Sequence, residues 1–233
     1  MMLSHGKAAV LVAEHSLPTN ASSMFSALAG IYSHGEIIEF RQAQTFVPTS
    51  SGTLYEISFN VHRGTSTNAD LRVSVTSIAN DQPSATLASF LIPFTQVGTS
   101  SLSLSLLMTG YFSHTIIATE SLLLEAGMPY ALVFSSDSAE ANYSIYGDRS
   151  GYSSGSRLSY SNPGPFQEVS GSDLLFRISA TTIPEPHTSL TTLVSTLMLS
   201  MRRRRVEQAV PSDGHKPSSF VPSAGTISPA DAH

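Results

Sequence analysis

The feature that most constrains this chain is a two-residue alternation of apolar and polar side chains, repeated in several short runs. In Thr53–His62, Tyr55, Ile57, Phe59 and Val61 alternate with Glu56, Ser58, Asn60 and His62. Leu71, Val73 and Val75 alternate with Arg72, Ser74 and Thr76, and Leu174, Phe176 and Ile178 with Leu175, Arg177 and Ser179. Successive side chains of a strand point to opposite faces, so this period describes strands with one face on a core. Further strands are expected over Ile37–Phe46, Thr86–Ile92, Leu102–Leu107, His114–Glu120, Pro129–Ser135 and Asn142–Tyr146. Turn residues punctuate them at Ser51-Gly52, Arg63-Gly64, Asn80-Asp81-Gln82-Pro83, Ala126-Gly127 and Asn162-Pro163-Gly164. Short strands without a long helical period between them define an all-β chain, an antiparallel β-sandwich with jelly-roll-like topology. Its expected core is Tyr55, Ile57, Phe59, Val61, Leu71, Val73, Val75, Leu132, Phe134, Leu174, Phe176 and Ile178.

Four regions follow. Residues 1–35 read as a weak leader, with Lys7 and the short apolar run Ala8–Ala13 interrupted by Glu14. Residues 36–180 form the sandwich, with a loose Ser-, Gly- and Tyr-rich stretch over about 136–172 expected as a long loop. Residues 183–205 carry a three-part tail, and 206–233, with four prolines and no periodicity, read as a disordered tail.

Composition narrows the function. Charged residues are 12% of the chain, about half of the roughly 25% of an ordinary soluble protein. Ser and Thr (41 and 20 of 233) take their place, which suits an envelope, surface or secreted β-protein. Cysteine is absent, which excludes disulfides, thiolate metal sites and cysteine nucleophiles. Residues 1–201 carry a net charge of −7, and this body would repel a phosphate backbone. No nucleic-acid partner is expected, despite the run of Arg202, Arg203, Arg204 and Arg205.

Motifs for catalysis are sparse. The eight histidines form no HxH or HxxxH pair, and no Gly-x-Ser-x-Gly, Walker loop or dinucleotide fingerprint occurs. Glu36 with Glu39, or Asp137 with Glu140, are the carboxylate pairs a glycan hydrolase would need. Asp137, Glu140 and Asp148 could supply oxygens to a structural calcium ion, the single cofactor weighed. Tyr143, Tyr146, Tyr152 and Tyr160, with Phe166, are candidates for stacking on the sugars of an exopolysaccharide. The bland alternative places Tyr143 and Tyr146 in the core as ordinary strand residues.

The tail is the most specific signal. Pro184-Glu185-Pro186 precedes His187–Met201, a segment without charge. Leu190, Leu193, Val194, Leu197, Met198 and Met201 line one stripe of a helix there. Arg202, Arg203, Arg204 and Arg205 follow, where cations complement the negative end of the helix dipole. Ile183–Met201 would reach about 28 Å as a helix, against a hydrocarbon layer of about 30 Å. From the residues alone, the helix fits a membrane segment held by positive charge or an amphipathic helix packed on the sandwich.

This order of tripeptide, apolar stretch and arginine cluster resembles the PEP-CTERM sorting signal. The resemblance implies a bacterial envelope protein recognised and processed by the membrane enzyme exosortase, with 187–201 in the membrane beforehand. It assigns the signal to Pro184, Glu185 and Pro186 together with Arg202, Arg203, Arg204 and Arg205. The body is similar to β-sandwich domains found ahead of such tails, in Ala43-Gln44-Thr45-Phe46, in Leu124–Phe134 and in Asp173–Arg177. The chain departs from the pattern in continuing 28 residues past Arg205, and in an apolar stretch poorer in Leu, Ala and Gly. The expected function is a non-enzymatic envelope or matrix protein. A carbohydrate-binding module is the first alternative and a glycan hydrolase the second.

Overall fold

The computed structural model describes residues 8–18, 24–33, 37–119, 121–136 and 141–182. The whole tail signal lies outside the described residues: Pro184, Glu185 and Pro186, the expected helix at 187–201, and Arg202, Arg203, Arg204 and Arg205. So do the 206–233 segment, Glu36, Asp137 and Glu140.

Two antiparallel sheets form the sandwich. The smaller has the order β1 (Ala9–His15), β15 (Phe176–Thr182), β4 (Gly52–Phe59) and β8 (His114–Ile117), with β9 (Leu123–Leu124) also on β4. The larger runs β14 (Asp173–Leu174), β11 (Asn142–Asp148), β2 (Met24–Ser33), β3 (Ile37–Phe46), β10 (Tyr130–Ser135), β6 (Leu71–Ala79) and β7 (Gln82–Ile92). β5 (Val61–Arg63) joins β11, β12 (Arg157–Ser161) joins β3, and β13 (Gln167–Glu168) joins β12.

The alternation predicts which residues meet between the sheets. Ile57 and Phe59 of the smaller sheet meet Val61, Val73, Val75, Leu132 and Phe134 of the larger in one cluster, with Phe46, Leu174, Phe176 and Ile178. The Phe59 and Phe134 rings meet edge to face at 5.1 Å, and Phe46 lies 6.1 Å from Phe176. β10 is buried along its whole length. Tyr130, Leu132 and Phe134 enter the core, while Ala131 and Val133 form a second apolar layer with Ala43 and Leu158 on the sheet's other face.

Four expectations are corrected. Tyr55 is 40% exposed rather than in the core. Glu56 pairs with Ser179 and Leu54 with Ala180, so Tyr55 is the extra residue of a β-bulge and the inward parity passes to Leu54. Leu102–Leu107 is not a strand. Ser103 accepts a hydrogen bond from the Leu106 amide and caps a short helix, α1 (Leu104–Leu107), whose Leu107 packs with Leu17, Tyr146 and Leu175. The supposed leader supplies two integral strands, β1 and β2. The expected loop at 136–172 contains β12 and β13 as well as the whole of β11.

Phe59→Ala therefore removes a fully buried ring and is expected to cost about 3–5 kcal/mol, while Tyr55→Ala costs less than about 1 kcal/mol. Urea denaturation of the two variants checks the register, and equal costs would overturn it.

Candidate functional site

Asp148 at the end of β11 stands directly opposite Asp173 in β14, and both side chains are buried. Two neighbouring carboxylates in a low-dielectric setting need donors on every side. Nε2 of His15, from β1, donates to Oδ1 of Asp148 across 2.7 Å, and the Ser150 hydroxyl donates to Oδ2. Asp173 accepts from Nε2 of Gln44 at 2.9 Å and from the Tyr152 amide at 2.8 Å. Gln44, wholly buried on β3, returns its own oxygen to the Leu174 amide at 2.7 Å. Arg157 completes the set, donating to Gln42 and to Ser172 with its guanidinium 4.6 Å over the Phe25 ring. Burial pulls the Arg157 guanidinium down from its ordinary value, and the Asp173 charge opposes that shift.

The order of these groups decides their chemistry. A nucleophilic serine needs an imidazole between its hydroxyl and the carboxylate. Here Asp148 stands between Ser150 and His15, so the imidazole has no path to the serine proton. The network is a clamp joining β1, β3, β11 and β14. Asp148, offered as a calcium ligand, spends both oxygens on protein donors. Among the described residues no group of three or more His, Asp or Glu side chains is placed to hold a metal ion.

The four tyrosines do not converge. Tyr143 is wholly buried and donates to the Ala69 carbonyl. Its pKa is pushed up to about 12 by burial and the Asp70 charge, against the pull of Arg63. Tyr146 is buried too, accepting from the Leu102 amide at 2.6 Å. At these two positions β11 is covered on both faces, Tyr143 by the main core and Tyr146 by α1 and its neighbours, so neither ring reaches solvent. Tyr152 is half-buried, edge-on to Phe176 at 5.3 Å, and burial raises its pKa. Tyr160 alone lies on the outer face of the large sheet, with Phe166 at 5.4 Å and the Arg41 guanidinium at 5.2 Å. Tyr143 and Tyr146 thus take the core positions of the alternative reading, and of the candidate set Tyr160, with Phe166, stands on the outer face.

Two open grooves among the described residues bear on binding. One, of about 390 Å³, lies on that same outer face, where Ile78, Pro129 and Leu158 form an apolar side and Asp81, Gln82 and Glu168 a polar rim. The sequence marks 80–83 only as a turn and carries no signal at Glu168, because nothing local joins residues so far apart in the chain. The other, of about 380 Å³, opens between the sheet edges β7 and β8 and includes Phe90, Ile116 and His114. Compared with models of known protein families and with curated proteins, the chain matches none.

Removing the imidazole leaves Asp148 buried with the Ser150 side chain and backbone groups alone. His15→Ala should cost about 3 kcal/mol, and Asp148→Asn in that background should recover part of the loss in a double-mutant cycle. Burial lowers the pKa of both His62 and His114, at His114 against a hydrogen bond to the Gln96 carbonyl. A depressed folded-state value means the folded chain resists protonation. Their contribution to stability is complete above the unfolded value of 6.5 and is lost as pH falls through the folded values. The drop in melting temperature between about pH 7 and pH 5 should be smaller in the His62→Gln/His114→Gln variant than in the parent chain.

Proposed function

We propose that this is a non-catalytic protein of the bacterial cell envelope or extracellular matrix, delivered by a PEP-CTERM signal that exosortase processes. The observation that carries this reading is the tripartite order Pro184-Glu185-Pro186, His187–Met201 and Arg202-Arg203-Arg204-Arg205. An uncharged apolar segment can enter the bilayer, whereas four consecutive arginines resist translocation and halt the chain. The flanking prolines disfavour helix at the tripeptide and keep it extended, as a protease-like enzyme requires. A body with few charges and many hydroxyls, closed into a sandwich, suits display in a matrix. No helix among the described residues is long and apolar enough to cross a membrane; the support for insertion at 187–201 is its uncharged apolar sequence.

Mass spectrometry of the protein from a cell with active exosortase should find chains ending near Pro184–Pro186, without the arginines. Replacing Arg202, Arg203, Arg204 and Arg205 by Gln should leave the protein unprocessed, while Glu207→Gln changes nothing. Recovery of soluble chains that still end at His233 would overturn the assignment.

A further inference from the structure

We propose that the outer-face groove of the large sheet binds an uncharged sugar unit of a polysaccharide. This goes beyond the sorting assignment and does not depend on it.

The groove joins two surfaces of different chemistry. Leu158 on β12 stands opposite Glu168 on β13, so both project to one side of that short ladder. Leu158 belongs to the apolar layer with Ala43, Ala131 and Val133, against which Ile78 and Phe166 pack. Around this strip, the side chains of Asp81, Gln82 and Glu168 make no hydrogen bond or ion pair among the described residues. A sugar ring has the same two-sided character: C–H groups on its faces and hydroxyls around its edge. The apolar strip fits the first. Carboxylates fit the second, because they accept only, and their hydrogen bonds from hydroxyls are stronger than neutral ones. The volume of about 390 Å³ lies within the range of ligand sites.

Charge selects within the sugars. None of the described residues lining the groove is basic, and it carries two carboxylates. An anionic sugar would meet uncompensated like charge there, so uronate polymers are disfavoured. Next to the groove, Tyr160 and Phe166 extend the apolar strip along β12 and offer a face to an adjoining unit.

The walls are held in place before any ligand arrives. Asn80 and Asp81 adopt φ of 51° and 59°, the left-handed pair of a tight hairpin between β6 and β7, which fixes Asp81 at the rim. On the opposite wall, the Thr45 amide donates to the Ser156 carbonyl at 2.9 Å and the Ser156 amide to the Thr45 hydroxyl at 2.7 Å. A Cβ at Gly155 would sit 1.9 Å from the Thr45 carbonyl oxygen, so only glycine permits this approach.

Isothermal titration of the full chain tests the proposal with cellohexaose, xylohexaose, mannohexaose and isomaltohexaose as neutral probes. Hexagalacturonate serves as the anionic probe and spermine as the cationic one. At least one neutral hexaose should bind and hexagalacturonate should not. Asp81→Asn and Glu168→Gln should each weaken that binding about five- to tenfold. Asn tolerates the left-handed turn, so the melting temperature of Asp81→Asn should stay at that of the parent chain. Thr115→Ala, in the other groove, should leave affinity unchanged. Binding of spermine or hexagalacturonate alone, no binding of any neutral hexaose, or neutral binding indifferent to both rim variants would each overturn it.

Discussion

The structure depends on one strand that has no solvent face. β10 lies between β3 and β6, and every one of its residues from Tyr130 to Ser135 is buried. Its inward residues Leu132 and Phe134 complete the core against the smaller sheet. Its outward residues Ala131 and Val133 need cover of their own, since exposed apolar area is unfavourable by about 25 cal/mol per Å². The β12–β13 hairpin gives that cover through Leu158 and Phe166. Because it covers only part of the face, an apolar wall remains open beside the β6–β7 turn. The core and the groove are thus two consequences of one strand.

Burying polar groups serves a different end. Asp148 and Asp173 face each other across a two-residue ladder, and each is surrounded by donors from other elements. Replacing such a group with an apolar one is often neutral for stability, so the value of the set lies in position. His15 and Gln44 each fit a single partner geometry. They fix β1 and β3 against the ends of β11 and β14, where ladders alone are short.

These features suit a protein whose work is to hold a surface. The network that resembles catalytic machinery in composition is arranged as a clamp, with its carboxylate in the middle. The exposed chemistry lies instead in the groove of the outer face, whose described lining has unengaged acceptors and no basic residue. Under the proposed function, display on a matrix would place that face among polysaccharides.

The residue pattern by itself determined the strands and the direction of most core side chains. Alternation in 70–78 and 173–179 reports which residues leave water, and Val73, Val75, Phe176 and Ile178 do so as read. It could not report a bulge, so Tyr55 kept the wrong parity, nor a serine cap, so 102–107 kept the alternation of a strand while folding as a helical turn. Tyr143 and Tyr146 were legible as strand residues, yet only packing on both faces of β11 showed that neither ring meets solvent. The meeting of Asp148 with Asp173, of Gln44 with Leu174, and of Asp81 with Glu168 was decided by tertiary structure alone. Periodicity is a local average over neighbours in the chain. A hydrogen bond or a groove is formed by groups up to about 130 residues apart, and their encounter depends on sheet order, which a two-residue period does not encode.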